Sequence, residues 1–269
     1  MTDDANTSPT ATGFSAGRDM DFSIANDFVG GDKFSGNKYV SYMTGNLVVN
    51  QNGVQASTLY YRHVLPLGDG YVDRPELEQQ LEEALLSESE QQKLVLVNGR
   101  PGTGRSTLVY KVVTQSYIEA AFPDGTLLGN LRSAPLNEIL DRFVFTYETE
   151  GHYTSNSKWD QATHLRELLT GKRVVIILDN VTSTDELAFF DHEDNNVTII
   201  AITRAHLPQL DENAWSIHRL NVPEMNDSES LALFKSIWQE APLLANVDSD
   251  ILRQLAHELH FLPQSMKSV

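Results

Sequence analysis

The sequence predicts an α/β fold in which a parallel sheet is flanked by helices and followed by a small helical subdomain. Three short apolar runs, at residues 93–98, 174–179 and 197–203, are typical of strands that are buried on both faces of a parallel sheet. Helical patterns alternate with these runs, which favours right-handed crossover connections. After Pro223 the patterns are helical only. We therefore expect the sheet to end there.

Local sequence signals predict where several helices begin or end. The segment Asp73-Arg74-Pro75-Glu76 has the pattern of a capping box with proline in the first turn, so a helix should begin there. Gly171 directly follows a helical pattern and predicts the end of that helix. Farther along, the segment 226–229 predicts the cap of a helix, and Asp248 precedes another helical pattern.

The N-terminal part differs in composition from the rest of the chain. Residues 1–20 are typical of disorder, whereas residues 21–60 contain short β-prone pieces separated by Gly-Asp and Gly-Asn pairs. A hairpin or meander would explain this pattern, and so would a β segment that stacks on identical chains. We accordingly predict three parts: a glycine-rich, β-prone or disordered segment (1–62), an α/β domain (63–222) and a helical subdomain (223–269).

Charge and composition exclude several classes of function. The chain has 37 acidic and 20 basic residues and a net charge of −17, which disfavours bulk binding to nucleic acid or anionic lipid. It has no cysteine, so disulfides and thiolate metal sites are excluded. No apolar run approaches the roughly 20 residues of a membrane span, and the N-terminus lacks the pattern of a signal peptide. We expect a cytoplasmic protein with no membrane partner.

The strongest functional signal lies between Gly99 and Thr107, where the sequence reads GRPGTGRST. It follows the first buried run, precedes a helical pattern and fits G-x-x-x-x-G-K-[ST], except that Arg105 replaces the lysine. The glycines allow backbone N–H groups to converge on a phosphate at the positive end of the helix. The segment therefore predicts a phosphate-binding loop, with Ser106 as a ligand of Mg²⁺.

Two further residues should lie at the same edge of the sheet as this loop. Asp179 ends the second buried run and Arg204 follows the third, and the carboxyl ends of parallel strands meet at one edge. Asp179 suits a Mg²⁺-water ligand, and Arg204 could contact a γ-phosphate. Asn180 stands where a general base is usual, and an amide cannot accept a proton from water. With Asp179 and Arg204 as the catalytic candidates, we expect at most a slow Mg²⁺-dependent ATPase.

Taken in order, these residues resemble the nucleotide-binding core of the STAND class of signal-transduction ATPases, in its NB-ARC branch. The resemblance covers about residues 65–269. Five other segments contribute to it: 71–76, 122–125 with 130–132, 168–173 with 178–181, 203–204, and Leu262-Pro263. The last is a partial match to a Gly-Leu-Pro-Leu motif, because Phe261 and Gln264 replace its flanking residues.

The resemblance implies a nucleotide site and a switch. It places Val72, Arg74 and Pro263 near adenine and Mg²⁺ at Ser106 and Asp179. The residues expected to bind ADP or ATP are Val72, Arg74, Gly99, Pro101, Gly102, Thr103, Gly104, Arg105, Ser106, Thr107 and Pro263. The implied mechanism is that ADP holds a closed form, ATP exchange opens it, and the open form assembles and activates an effector, whose identity is unknown.

Several functions remain open at this point. The leading one is an ADP/ATP-dependent signalling switch that self-assembles through residues 21–60. The alternative is a scaffold that binds nucleotide without hydrolysing it, or a fragment of a larger receptor, because the winged-helix and repeat-sensor domains of the family do not follow Pro263. A DNA-associated ATPase or a small-molecule kinase could use the same loop. The acidic charge disfavours the former, and no catalytic acid is evident for the latter.

Overall fold

A computed structural model describes residues 40–44, 47–50, 53–56, 60–64, 70–148, 155, 157–192, 195–205, 207, 210, 215–238 and 247–268. Within these ranges the strands are β1 (Val40–Thr44), β2 (Leu47–Asn50), β3 (Gly53–Ala56), β4 (Tyr60–Val64), β5 (Gln92–Gly99), β6 (Gly125–Asn130), β7 (Val174–Val181), β8 (Val197–Thr203) and β9 (Trp215–Val222). The helices are α1 (Pro75–Leu86), α2 (Arg105–Val113), α3 (Ser116–Ala121), α4 (Leu136–Tyr147), α5 (Lys158–Leu169), α6 (Thr184–Leu187), α7 (Asp227–Trp238), α8 (Ser249–Glu258) and α9 (Pro263–Met266). A 3₁₀ turn, Ala188–Phe190, follows α6.

The predicted α/β fold is confirmed, and the centre of its sheet is parallel. The strand order is β1-β4-β6-β7-β8-β5-β9. Strands β6, β7, β8, β5 and β9 are parallel to their neighbours, and β4 pairs in parallel with β6. Strand β8 is inserted between β5 and β7, although it follows both in sequence. The ends of β5, β7 and β8 therefore lie side by side.

Both faces of the central strands β5, β7 and β8 are buried, as the apolar runs predict. In β5, Leu94 and Leu96 face the core formed with α4 and α5. Val95 and Val97 face the opposite core, which includes residues of α1, α2 and α3. A third, smaller core joins α7, α8 and α9 around Phe234, so the predicted helical subdomain forms after β9.

The helix signals are confirmed with one exception. Asn226 Oδ1 accepts from Glu229 N (2.9 Å), and Glu229 Oε2 accepts from Asn226 N (2.8 Å), which is the reciprocal cap of α7. The capping box at Asp73 is wrong. Arg74 is the N-cap of α1, no side chain caps it, and its backbone N–H donates instead to Glu78 Oε1 (2.8 Å).

The predictions for residues 1–39 lie outside the described residues. From residue 40, β1 pairs antiparallel with β4, and β2 pairs antiparallel with β3. The division of the chain at residue 62 stays a prediction, and it would fall inside β4, which joins the main sheet through Tyr61 and Arg62. Pairing between identical chains also stays a prediction. None of the described helices is both long and apolar enough to cross a bilayer.

Candidate functional site

The loop between β5 and α2 requires glycine at two of its positions. Gly102 and Gly104 have φ angles of 85° and 89°, in the left-handed region that L side chains rarely adopt. A Cβ atom at Gly102 would stand 3.3 Å from the Cβ atom of Gln264. The left-handed Gly104 is the N-cap of α2. The loop thus brings backbone N–H groups to a helix N-terminus, where phosphate groups bind in many proteins.

Interactions within the chain hold the shape of this loop. Thr103 is buried, and its Oγ1 donates to the carbonyl of Arg100 (3.0 Å), which closes the turn. The carbonyl of Thr103 accepts from Arg74 Nη1 (3.4 Å). At the start of the loop, a Cβ atom at Gly99 would stand 2.5 Å from the carbonyl oxygen of Val222. The close approach of β9 therefore excludes a side chain at this position.

The sheet brings the two predicted metal ligands into contact. Ser106, in the first turn of α2, donates from Oγ to Asp179 Oδ2 (2.9 Å). Asp179 precedes a bulge in β7, where Asn180 has φ = 61° and its backbone N–H donates to Asp179 Oδ1 (2.8 Å). Burial raises the pKa of the Asp179 carboxyl, although the bonds from Ser106 and Asn180 oppose this effect. Two hard oxygen atoms next to each other fit Mg²⁺.

Arg105 takes the place of the usual lysine of the motif, and its side chain is buried. Its side chain is 8% exposed and donates from Nη1 to the carbonyl of Thr203, at the end of β8. Burial and, secondarily, the nearby charge of Arg204 lower the pKa of Arg105, while Asp179 raises it. The guanidinium of Arg105 is therefore tied to the sheet edge.

One cavity of about 470 Å³ gathers most of the predicted site. Its lining includes the predicted residues Gly102, Gly104, Arg105, Ser106, Thr107, Asp179, Arg204 and Pro263. It also includes residues that the sequence analysis did not assign to the site: Asn130, Arg132, Asn180, Gln264 and Lys267. Asn130 and Asn180 interact directly, because Asn180 Nδ2 donates to Asn130 Oδ1 (3.2 Å).

The other predicted residues lie outside the cavity lining: Val72, Arg74, Gly99, Pro101 and Thr103. Val72 packs against the core of the helical subdomain. Pro101 is exposed. A position beside adenine stays a prediction for Val72 and Arg74.

Arg74 connects three parts of the molecule. Its side chain is only 6% exposed and forms an ion pair with Glu229 of α7 (3.1 Å). It also donates to the carbonyls of Pro223 (3.1 Å) and Glu224 (3.2 Å), in the segment that joins β9 to α7. Together with its bond to Thr103, these contacts link the start of α1, the phosphate loop and the helical subdomain.

The helical subdomain also reaches the loop through α9. Gln264 N donates to the carbonyl of Gly102 (3.3 Å). Pro263 is buried, and its Cγ lies 3.9 Å from where a Cβ atom at Gly104 would stand. Lys267 follows Pro263 by one helical turn and lines the same cavity. That spacing is the sequence signal that could have added Lys267 to the predicted site.

Comparison with known proteins identifies the family. Residues 75–243 match the NB-ARC domain family. The chain is 27% identical to the regulatory protein AfsR of Streptomyces coelicolor over 147 residues, which are 53% of this chain and 14% of AfsR.

Two solved structures resemble the fold at 16% identity. The Aeropyrum pernix ORC1 protein, determined in complex with DNA, has a TM-score of 0.51 and is matched over 75% of this chain and 59% of its own. A STAND protein with a tetratricopeptide repeat sensor from Pyrococcus horikoshii has a TM-score of 0.48 and is matched over 74% of this chain and 29% of its own. The match over residues 75–243 shows that the chain belongs to the NB-ARC family of nucleotide-binding P-loop NTPases.

Proposed function

We propose that this protein is an ADP/ATP-binding switch in which the nucleotide controls the contact between the α/β domain and the helical subdomain. The observation that carries the proposal is the shared cavity, in which the phosphate loop is bonded to α9 through Gly102 and Gln264. A ligand in this cavity would touch both parts. It could therefore bias their arrangement by its differential affinity for the two states.

The residues of the cavity fit a nucleotide with Mg²⁺. The left-handed glycines leave room for the phosphates, and the backbone N–H groups at the start of α2 would hold them. Ser106 and Asp179 would hold Mg²⁺, directly or through water. When bound, the metal ion neutralises phosphate charge. Arg204 is exposed at the cavity and would distinguish ATP from ADP through the γ-phosphate.

The site has little provision for hydrolysis. Asn180 occupies the place next to Asp179 where an acid would act as general base, and its amide group is bonded to that of Asn130. An amide can orient a water molecule but cannot deprotonate it. We infer that turnover is at most slow, so that exchange of the nucleotide rather than its hydrolysis sets the rate of switching.

A second candidate function is a scaffold that binds ADP and does not switch. The attachment of Arg105 to the carbonyl of Thr203 favours it, because that guanidinium is already engaged by the protein. Self-assembly through residues 21–60 and activation of an effector belong to the first proposal. For that segment the structure describes antiparallel strand pairs only from residue 40.

Calorimetry of the purified chain with ADP and ATP, with and without Mg²⁺, tests the first proposal. We expect both nucleotides to bind, and Asp179→Ala to remove the dependence of their binding on Mg²⁺. Arg204→Ala should lower the affinity for ATP by about tenfold, or 1.4 kcal/mol, and leave the affinity for ADP nearly unchanged. Lys235→Ala, an exposed cation of α7, is the control and should change neither affinity. Absence of binding by both nucleotides at millimolar concentration would refute both candidate functions.

The same samples separate the two candidates. A switch should show different patterns of limited proteolysis, or different radii of gyration, with ADP and with ATP. A scaffold should bind ADP and show the same pattern with either nucleotide.

A further inference from the structure

The cavity of about 470 Å³ at the phosphate loop, the nucleotide cavity, adjoins a second cavity of about 500 Å³. Three residues line both cavities: Arg132, Asn180 and Arg204. The other lining residues of the second cavity lie at or just after the ends of β6, β7 and β8. A ligand that extends from the phosphate loop along this edge of the sheet would therefore reach the junction of the two cavities, where both arginines lie.

The sheet places Arg132 and Arg204 on opposite sides of the end of β7. Strand β6 ends beside Asp179, because Asn130 is the register partner of Asp179 and the backbone N–H of Leu131 donates to the carbonyl of Asp179 (3.0 Å). Arg132 is the second residue after β6. Strand β8 pairs with the other side of β7, and Arg204 is the first residue after β8. The two arginines therefore flank the place where Mg²⁺ is expected.

The backbone of Arg132 is held in place, whereas its side chain is available to a ligand. The backbone N–H of Arg132 donates to Asn130 Oδ1 (3.0 Å), and the same oxygen accepts from Asn180 Nδ2 (3.2 Å). Arg132 and Arg204 are both exposed. Neither guanidinium forms an ion pair or a hydrogen bond with any residue that the structure describes. Their N–H donors can therefore bind a ligand without breaking a contact within the described part of the chain.

The junction of the two cavities favours an anion. Burial and, after it, the charge of Arg204 lower the pKa of Arg105, so like charges are crowded there. Glu186 lines the second cavity, but its carboxylate already accepts from the N–H groups of Thr182 (2.7 Å) and Ser183 (3.2 Å) and from Thr182 Oγ1 (3.1 Å). A phosphate group suits the guanidiniums at this junction, because their planar sets of N–H donors match its oxygens.

We infer that Arg132 and Arg204 together hold the γ-phosphate of ATP, an assignment that rests on the proposed function of the cavity as a nucleotide site. Ser106 and Asp179 would hold Mg²⁺, which bridges the β- and γ-phosphates in P-loop NTPases. The γ-phosphate would then lie near the end of β7, between the two arginines. Arg132 is thus a second residue that distinguishes ATP from ADP, because ADP has no group at this place.

Calorimetry of the full chain with ATP and with ADP, both in the presence of Mg²⁺, tests this role of Arg132. Arg132→Gln should lower the affinity for ATP by about tenfold and change the affinity for ADP by less than about twofold. Arg142→Gln is the matched control, because Arg142 is an exposed residue of α4 that lines neither cavity, and it should change neither affinity. Unchanged ATP affinity in Arg132→Gln, or an equal loss for ATP and ADP, would overturn the assignment.

Two further measurements separate this role from the proposed function and from a role in folding. If Arg204→Ala lowers the affinity for ATP and Arg132→Gln does not, the switch stands and only the assignment of Arg132 is wrong. If the wild type binds neither nucleotide, both are wrong. Without nucleotide, Arg132→Gln should melt at the same temperature as the wild type, since its guanidinium has no partner among the described residues. A decrease of more than about 4 °C would show that this side chain supports the fold instead and would overturn the assignment.

Discussion

Replacing Arg74 by methionine should destabilise the link between the phosphate loop and the helical subdomain. Methionine keeps an apolar side chain of similar reach and removes the guanidinium. The change breaks the ion pair with Glu229 and leaves the carbonyls of Pro223 and Glu224 without this donor. Removing one partner of a buried ion pair costs about 3–5 kcal/mol. Glu229 is 18% exposed and can partly rehydrate, so we expect a loss of about 3 kcal/mol.

For a chain of this size, that loss corresponds to a decrease of roughly 6–12 °C in melting temperature. Denaturant unfolding of wild type, Arg74→Met, Glu229→Gln and the double variant gives the coupling energy of the pair, which should be about 1–2 kcal/mol. A coupling near zero, or a loss below about 0.5 kcal/mol in Arg74→Met, would contradict an anchoring role for the guanidinium.

The same variants test the predicted position of Arg74 beside adenine. If Arg74 acts by positioning the subdomain, both Glu229→Gln and Arg74→Met should lower the affinity for ADP. If Arg74 contacts the nucleotide, only Arg74→Met should lower the affinity for ADP. Calorimetry with ADP distinguishes these outcomes.

Three other predictions concern the loop and the end of β7. Asp179→Asn should stabilise the nucleotide-free protein at neutral pH, because burial raises the pKa of Asp179 in the folded state and so penalises its charged form. The advantage should grow as the pH rises above about 4, the ordinary value for an aspartate, and melting curves that coincide at neutral pH would contradict it. Gly102→Ala should cost about 1–2 kcal/mol for its positive φ and should also weaken ADP, because its Cβ would crowd Gln264. Gly171→Ala is the control, since Gly171 has a similar φ angle and open space around it. Unchanged ADP affinity in Gly102→Ala would refute the predicted effect on the phosphate loop. Asn180→Asp should raise ATP turnover by about 100-fold by restoring a carboxylate that can act as base, and an unchanged rate in a steady-state phosphate assay would show that the missing base does not limit turnover.

The strands that could be predicted from the sequence are those buried on both faces. Runs such as 174–179 contain apolar residues only up to the final Asp179, and no periodicity is needed to identify them. Strand β6 reads GTLLGN, with only two large apolar residues between glycines. Strand β9 lies at the edge of the sheet and reads WSIHRLNV, in which the adjacent polar residues His218 and Arg219 interrupt the alternation of apolar and polar residues. Both depend on their neighbours for pairing, so their own sequences are weak signals.

The contact between Ser106 and Asp179 could be predicted because the topology determines the positions of both residues. Ser106 lies at the start of the helix that follows one strand, Asp179 lies at the carboxyl end of another strand, and these two places meet at the same edge of the sheet. The contact between Gly102 and Gln264 could not. It depends on how the helical subdomain packs against the loop, across 162 positions of sequence. The orientation of Arg105 was equally inaccessible, since the motif fixes its place in the chain and not the carbonyl that its guanidinium contacts.

The charge of the whole chain and that of the nucleotide cavity have opposite signs, and this difference favours a small anion over a nucleic acid. The chain carries −17, yet four basic residues and one acidic residue line the cavity: Arg105, Arg132, Arg204, Lys267 and Asp179. A cleft focuses the field of its own charges, whereas the net negative charge of the whole chain repels a long polyanion. A di- or triphosphate is small enough that the charges lining the cleft act on it more strongly than the charges of the rest of the chain. Its association should therefore slow as salt is added, because screening weakens that local attraction.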